Sequence, residues 1–142
     1  MKAFAFSLET LRRLRVQARK QAEVELQRIS SFCARITGAM QATQALIEAG
    51  HQTNDPAWID QEQAFLASQR GRLERLASEL LDARREEAQW RQALAYAQQQ
   101  EEVVENLRDA QYKRWRKNML KEEQKVLDDL PASGRQKKRN WA

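Results

Sequence analysis

The residues able to do chemistry are few and badly spaced for it. The chain has one histidine, His51, and one cysteine, Cys33. A zinc site needs about four ligands, so these two do not make one. Cys33 has no neighbouring base to lower its thiol pKa and reads as filler on an apolar helix stripe. His51 reads as a solvated loop residue. Four acidic pairs, Glu86-Glu87, Glu101-Glu102, Glu122-Glu123 and Asp128-Asp129, are formal candidates for acid–base work. Consecutive helical residues diverge by about 100°, so each pair splays across a charged face and forms no dyad. No phosphate-binding glycine loop, dinucleotide fingerprint or H-E-x-x-H motif occurs. The expectation is a protein without enzymatic activity, catalytic residues, metal or cofactor.

Two basic stretches carry a different kind of chemistry. Lys113-Arg114-Trp115-Arg116-Lys117, with Tyr112 beside it, interleaves cations and aromatics and suits an acidic protein groove. Arg135, Lys137, Lys138 and Arg139 cluster near the C-terminus, and no acidic residue follows Asp129. The formal net charge is +5, and setting aside these four leaves +1 for the remainder. Nucleic-acid binding through this cluster is the less favoured reading, because the near-neutral body offers no extended basic stripe.

The elements that must position these residues are helical. In 142 residues there are 4 Gly and 2 Pro, and 32% of residues are charged. Scarce helix breakers with abundant Ala, Leu, Gln, Glu, Arg and Lys point to long helices or coiled coil. Aromatics make up 7%, and the mean hydropathy is −0.84, both too low for a thick core. No apolar run approaches the roughly 18 residues that would cross a bilayer. Met1–Ser7 does not read as a signal peptide. A cytoplasmic location is expected.

Ser7 reads as the N-cap of a first helix over about 8–49. Gly50 reads as its C-terminal stop, free to take positive φ. A loop over 50–55 follows. Asp55-Pro56 then reads as N-cap plus first helical residue, starting a second helix over about 56–130. Residues 131–142 read as a flexible basic tail. The fold class is therefore all-α, a long two-helix antiparallel coiled-coil hairpin with an overhanging second helix.

Periodicity supports the pairing. Ala22, Leu26, Ile29, Cys33, Ile36, Met40, Thr43 and Ile47 step alternately by 4 and 3, as a coiled-coil seam does. Leu66, Gln69, Leu73, Leu76, Leu80, Ala83, Glu87, Trp90, Leu94 and Ala97 form a matching seam. Toward the start, Leu11, Leu14, Ala18 and Ala22 carry a stutter. A tight turn predicts partners whose numbers add to about 105–106, so that Leu26 faces Leu80, Ile29 Leu76, Cys33 Leu73, Met40 Leu66 and Ala22 Ala83. The exceptions are Ile36 facing Gln69, Thr43 facing Glu62 and Ala18 facing Glu87. The first helix covers the second only to about residue 98, leaving about 50 Å of helix uncovered at 1.5 Å per residue. Val103, Val104, Leu107, Tyr112, Trp115, Met119, Leu120, Val126 and Leu127 lie on that overhang. It is predicted to be a docking surface, with some of it open to cover by Phe4 and Phe6.

Three segments carry a resemblance. Phe4-Ala5-Phe6-Ser7-Leu8-Glu9 leads into the Arg-rich Leu11-Arg12-Arg13-Leu14-Arg15. Trp58-Ile59 is followed by Phe65-Leu66. The close runs from Tyr112 through Glu122-Glu123-Gln124-Lys125-Val126-Leu127-Asp128-Asp129. Together they resemble FliJ-type flagellar export proteins, with injectisome stalk proteins as close rivals. The resemblance spans nearly the whole chain. It implies a non-enzymatic stalk, similar to the central stalk of rotary ATPases. Such a stalk would dock in the pore of a hexameric export ATPase (FliI-like) and contact an export gate protein (FlhA-like) and export chaperones. It would sit at the cytoplasmic face of the inner membrane. Carried over, the ring-facing residues would be Leu8, Leu11, Arg12 and Leu14 with Tyr112, Trp115 and Met119. The gate-facing residues would be Leu46, Phe65 and Gln69. A generic coiled-coil scaffold is the alternative.

Overall fold

The computed structural model describes the backbone of residues 3–50 and 55–141 and the side chains of 3–50 and 55–130. Two helices make up the regular structure: α1, Glu9–Ala49, and α2, Ile59–Trp141. They pack against each other as an antiparallel hairpin, with no strand among the described residues. No helix among those residues is long and apolar enough to cross a membrane.

The ends of the helices differ in detail from their sequence signals. The Ser7 hydroxyl lies 3.5 Å from the Gln111 side chain. The carbonyls of Phe6 and Leu8 accept from the first amides of α1, Glu9 and Arg12. Asp55 caps a turn rather than the helix. Its carboxylate accepts from the Ala57 amide at 3.0 Å, and its carbonyl accepts from Trp58 at 3.1 Å. An Asx-type turn of this kind competes with helix, so α2 starts at Ile59 rather than Pro56.

Gly50 does not take positive φ, nor does any described glycine. Its amide continues the helical pattern onto Leu46 and Ile47. Its surroundings are close instead: a Cβ at this position would stand 2.7 Å from Leu66 Cδ2, so a side chain there would require that leucine to shift.

At the far end, α2 continues through Pro131 to Trp141 instead of stopping near Leu130. Inside a helix a proline forfeits one donor and crowds the carbonyl four residues back, at a cost of about 3 kcal/mol, which is why the sequence reads as a stop there. The basic cluster expected as a flexible tail lies outside the residues whose side chains are described.

Contacts divide the chain into two units, Gln17–Gln98 and Met1–Val16 with Gln99–Ala142. In the first, Ile29, Cys33, Ile36 and Ala83 form a buried cluster, with Leu26, Met40, Leu76, Leu80 and Trp90 packed on it. Ile29 and Cys33 are each 1% exposed and Leu66 is fully buried. A fully buried Ile or Leu side chain contributes about 1.5–3 kcal/mol, so this seam is the stabilising feature of the unit.

The register is not the one the tight turn predicts. Gly50 lies against Leu66, Ser30 bonds Glu87 and Arg28 bonds Glu86. Partner numbers therefore add to about 116 rather than 105–106, a slide of about three helical turns. Cys33 packs with Ala83 in place of Leu73, and Leu80 lies about 16 Å along the helix from its predicted level. α2 starts three residues later than predicted, and its first seven residues, Ile59–Phe65, run beyond the level of Gly50.

In the second unit, Phe6 and Val104 are buried. Arg12 pairs with Glu105 across the helices and with Glu9 one turn away at 3.2 Å. Val104 is thus covered, and the uncovered part of α2 begins later than expected. Residues 120–130 are all exposed.

Candidate docking surface

The aromatic residues expected on the overhang come together with a third. Tyr112 and Trp115, three residues apart, share a helix face and stack at 5.7 Å between centroids with planes 30° apart. The Phe4 ring meets Tyr112 edge-on at 5.2 Å and Trp115 in a tilted contact at 5.8 Å. The Arg108 guanidinium stands 5.9 Å from the centre of the Phe4 ring, within cation–π range. Phe4 is held there because residues 3–6 precede α1 without helical structure and Phe6 is buried beside them. Sequence reasoning named Phe4 only as possible cover. The Phe-x-Phe spacing, with one ring buried and one resting on α2, was the available signal.

The remaining ring-facing residues divide by exposure. Leu8 and Leu14 are exposed, Leu14 at 57%. Leu11 and Met119 are half-buried. Arg12 is committed to Glu105 and Glu9. The hydrogen bond to Glu105 is the largest influence holding its guanidinium pKa above the ordinary arginine value, with burial opposing. Beyond Met119, Leu120, Val126, Leu127 and Leu130 are exposed on α2. Met119, Val126 and Leu127 line one shallow groove there, flanked by Glu122 and Glu123.

The gate-facing residues do not form one surface of like exposure. Leu46 and Phe65 are 47% and 44% exposed. Gln69 is half-buried, and its Oε1 has no hydrogen-bond partner among the described residues. A groove not anticipated from the sequence opens between α1 and α2 in the same unit, lined by Met40, Ala45, Leu73, Ala77 and Leu80 and edged by Glu48 and Glu74.

At the centre of the same unit, Glu87 is 3% exposed. It accepts from Ser30 at 2.9 Å and pairs with Arg84 at 3.2 Å and Arg91 at 3.1 Å. The Ser30 bond is the largest cause of a carboxyl pKa below the ordinary glutamate value. Burial opposes it, and the Arg84 bond and the charges of Arg91 and Arg84 add to it. Such a group is built to stay ionised and fixed, which suits structure rather than proton transfer.

The surface assembled here exposes aromatic and apolar side chains and groups no set of three or more metal-ligating side chains among the described residues. Compared with curated proteins and with solved structures, the chain finds no match. The sequence pattern of one protein family, described as flagellar FliJ protein, matches residues 4–140. That span takes in both helices and the Phe4–Tyr112–Trp115 cluster, and the chain belongs to the flagellar FliJ protein family.

Proposed function

We propose that this chain is the central stalk of a flagellar protein export machine, docking in the pore of a hexameric export ATPase (FliI-like). The family's place in flagellar export, as a non-catalytic stalk component, follows from membership. The finer reading rests on the cluster of Phe4, Tyr112 and Trp115, next to an α2 face whose Leu120, Val126 and Leu127 have no cover from α1. Exposed apolar residues rimmed by Lys113, Arg114, Arg116 and Lys117 are the composition of an interface. An asymmetric helical pair in a six-fold ring contacts the subunits unequally. It thereby favours ring assembly and biases which subunit hydrolyses next. The stalk contributes no catalytic group.

The exposed Leu46 and Phe65 are the proposed contacts to the export gate protein (FlhA-like), with export chaperones as further partners. The site of work is the cytoplasmic face of the inner membrane. The direct experiment measures ATP hydrolysis and hexamer formation by the cognate export ATPase with and without the full chain. Stimulation with co-sedimentation is the expected result. An ATPase that neither binds the chain nor changes rate would refute the stalk reading.

A further inference from the structure

We propose that the uncovered face of α2 over residues 113–130 is a self-association surface, on which a second copy of this chain docks antiparallel. The observation behind it is the placement of charge. Residues 113–121 carry five cations, Lys113, Arg114, Arg116, Lys117 and Lys121, and no carboxylate. Residues 122–130 carry Glu122, Glu123, Asp128 and Asp129 against the single Lys125, a net charge of −3. Two adjoining stretches of one helix thus have opposite sign.

Within one chain most of these charges have no way to meet. Ion pairs on a helix form between residues three or four apart. Arg114, Arg116 and Lys117 have no acidic residue at either distance, and Glu123 has no basic one. None of these four makes an ion pair among the described residues. The arginines nearer the turn are engaged: Arg28 with Glu25 and Glu86, and Arg84 and Arg91 with Glu87. Between the unpaired charges stand Leu120, Val126, Leu127 and Leu130, each more than half exposed. Leu120 and Leu127 are one heptad apart and share a face.

A partner of one sign meets only half of this surface and is repelled by the other half. A second copy carries the complementary pattern, provided it runs the opposite way. A parallel pair would set cation on cation and carboxylate on carboxylate. An antiparallel pair whose residue numbers add to about 240 sets Leu120 against its own copy at the two-fold axis. Arg116 then lies beside Glu123 on one flank of the interface and Lys113 beside Asp128 on the other, each contact made twice by symmetry. The overlap is about 27 Å long at 1.5 Å per residue. An interface this short is weak and transient, and it dissociates before the hairpin melts. The stalk reading uses the same leucines, so docking and self-pairing would exclude each other. That consequence rests on the stalk reading, whereas the self-pairing does not.

The test is sedimentation of the full chain without any ATPase, up to about 1 mM. A monomer–dimer equilibrium is expected, weakened by salt as screening sets in. Arg116→Glu and Glu123→Lys each place like charges together across the interface, and each variant alone should dimerise about tenfold more weakly. Mixing the two restores opposite charges at both contacts and should recover the parent's association as a heterodimer. Leu120→Lys, with two cations at the axis, should abolish dimerisation. All three positions are exposed, and circular dichroism checks that helicity is kept.

A parent chain that stays monomeric over the whole range overturns the proposal and leaves this face to a different partner. A mixture that associates no better than its separate variants overturns the antiparallel pairing. So does a Leu120→Lys chain that dimerises as the parent does.

Discussion

Glu87 is the one buried charge among the described residues, and its behaviour with pH follows from its partners. Its carboxyl titrates below the ordinary glutamate value because Ser30 and Arg84 donate to the ionised form and Arg91 stands nearby. The folded chain therefore binds this proton less readily than the unfolded chain does. The stabilisation is fully present above the ordinary glutamate range and is lost as pH falls through the lowered folded value. Thermal melting followed from neutral to acid pH should show this loss, and Glu87→Gln should flatten that part of the profile. A Glu87→Gln profile as steep as the parent's would assign the acid sensitivity elsewhere. In sequence the residue reads as half of a solvated acidic pair. Its seam position was visible, but its serine partner lies 57 residues away and belongs to no periodic pattern.

At the scale of the helices, the glycines separate by what surrounds them. A Cβ added at Gly38 or Gly71 would meet nothing within 4 Å. Replacing either by Ala removes helix-interior glycine and should stabilise the fold by about 1 kcal/mol each, read as a rise in melting temperature. Gly50→Ala should do the opposite. Its methyl would be driven into Leu66 Cδ2 at 2.7 Å, and Leu66, fully buried, has little room to retreat. A denaturation series ranking Gly50→Ala above the parent in stability would contradict this packing. From the sequence, Gly38 reads as a weak point in α1. Gly50 reads as a stop chosen for its backbone freedom, and the structure makes it a matter of steric room.

For the molecule as a whole, pairing within one chain has a test that pairing between chains fails. An intramolecular hairpin melts at a temperature independent of protein concentration, while an antiparallel dimer with the same layers loses stability on dilution. Over about a hundredfold dilution the midpoint should not move. Docking makes a second demand. Tyr112 and Trp115 lie outside the buried cluster around Ile29 and Cys33, so on the proposed stalk reading Trp115→Ala should preserve helicity while weakening binding to the export ATPase about tenfold, as loss of an aromatic anchor does. Equal binding by the variant, measured by co-sedimentation, would remove Trp115 from the interface.

Much of this architecture was determined locally. Sparse Gly and Pro specified two long helices, and steps of 3 and 4 specified their apolar faces. The family resemblance was carried by residues at both ends and beside the turn. What only the tertiary structure decided was the register and everything that follows from it: Phe4 over Tyr112 and Trp115, Val104 covered by α1, Cys33 beside Ala83. A stripe that repeats every turn or two looks nearly the same after a slide of three turns, so periodicity cannot count turns. The contacts that do count them, a serine on a glutamate and a glycine under a leucine, are single pairings between distant residues and become visible only when the two helices are laid together.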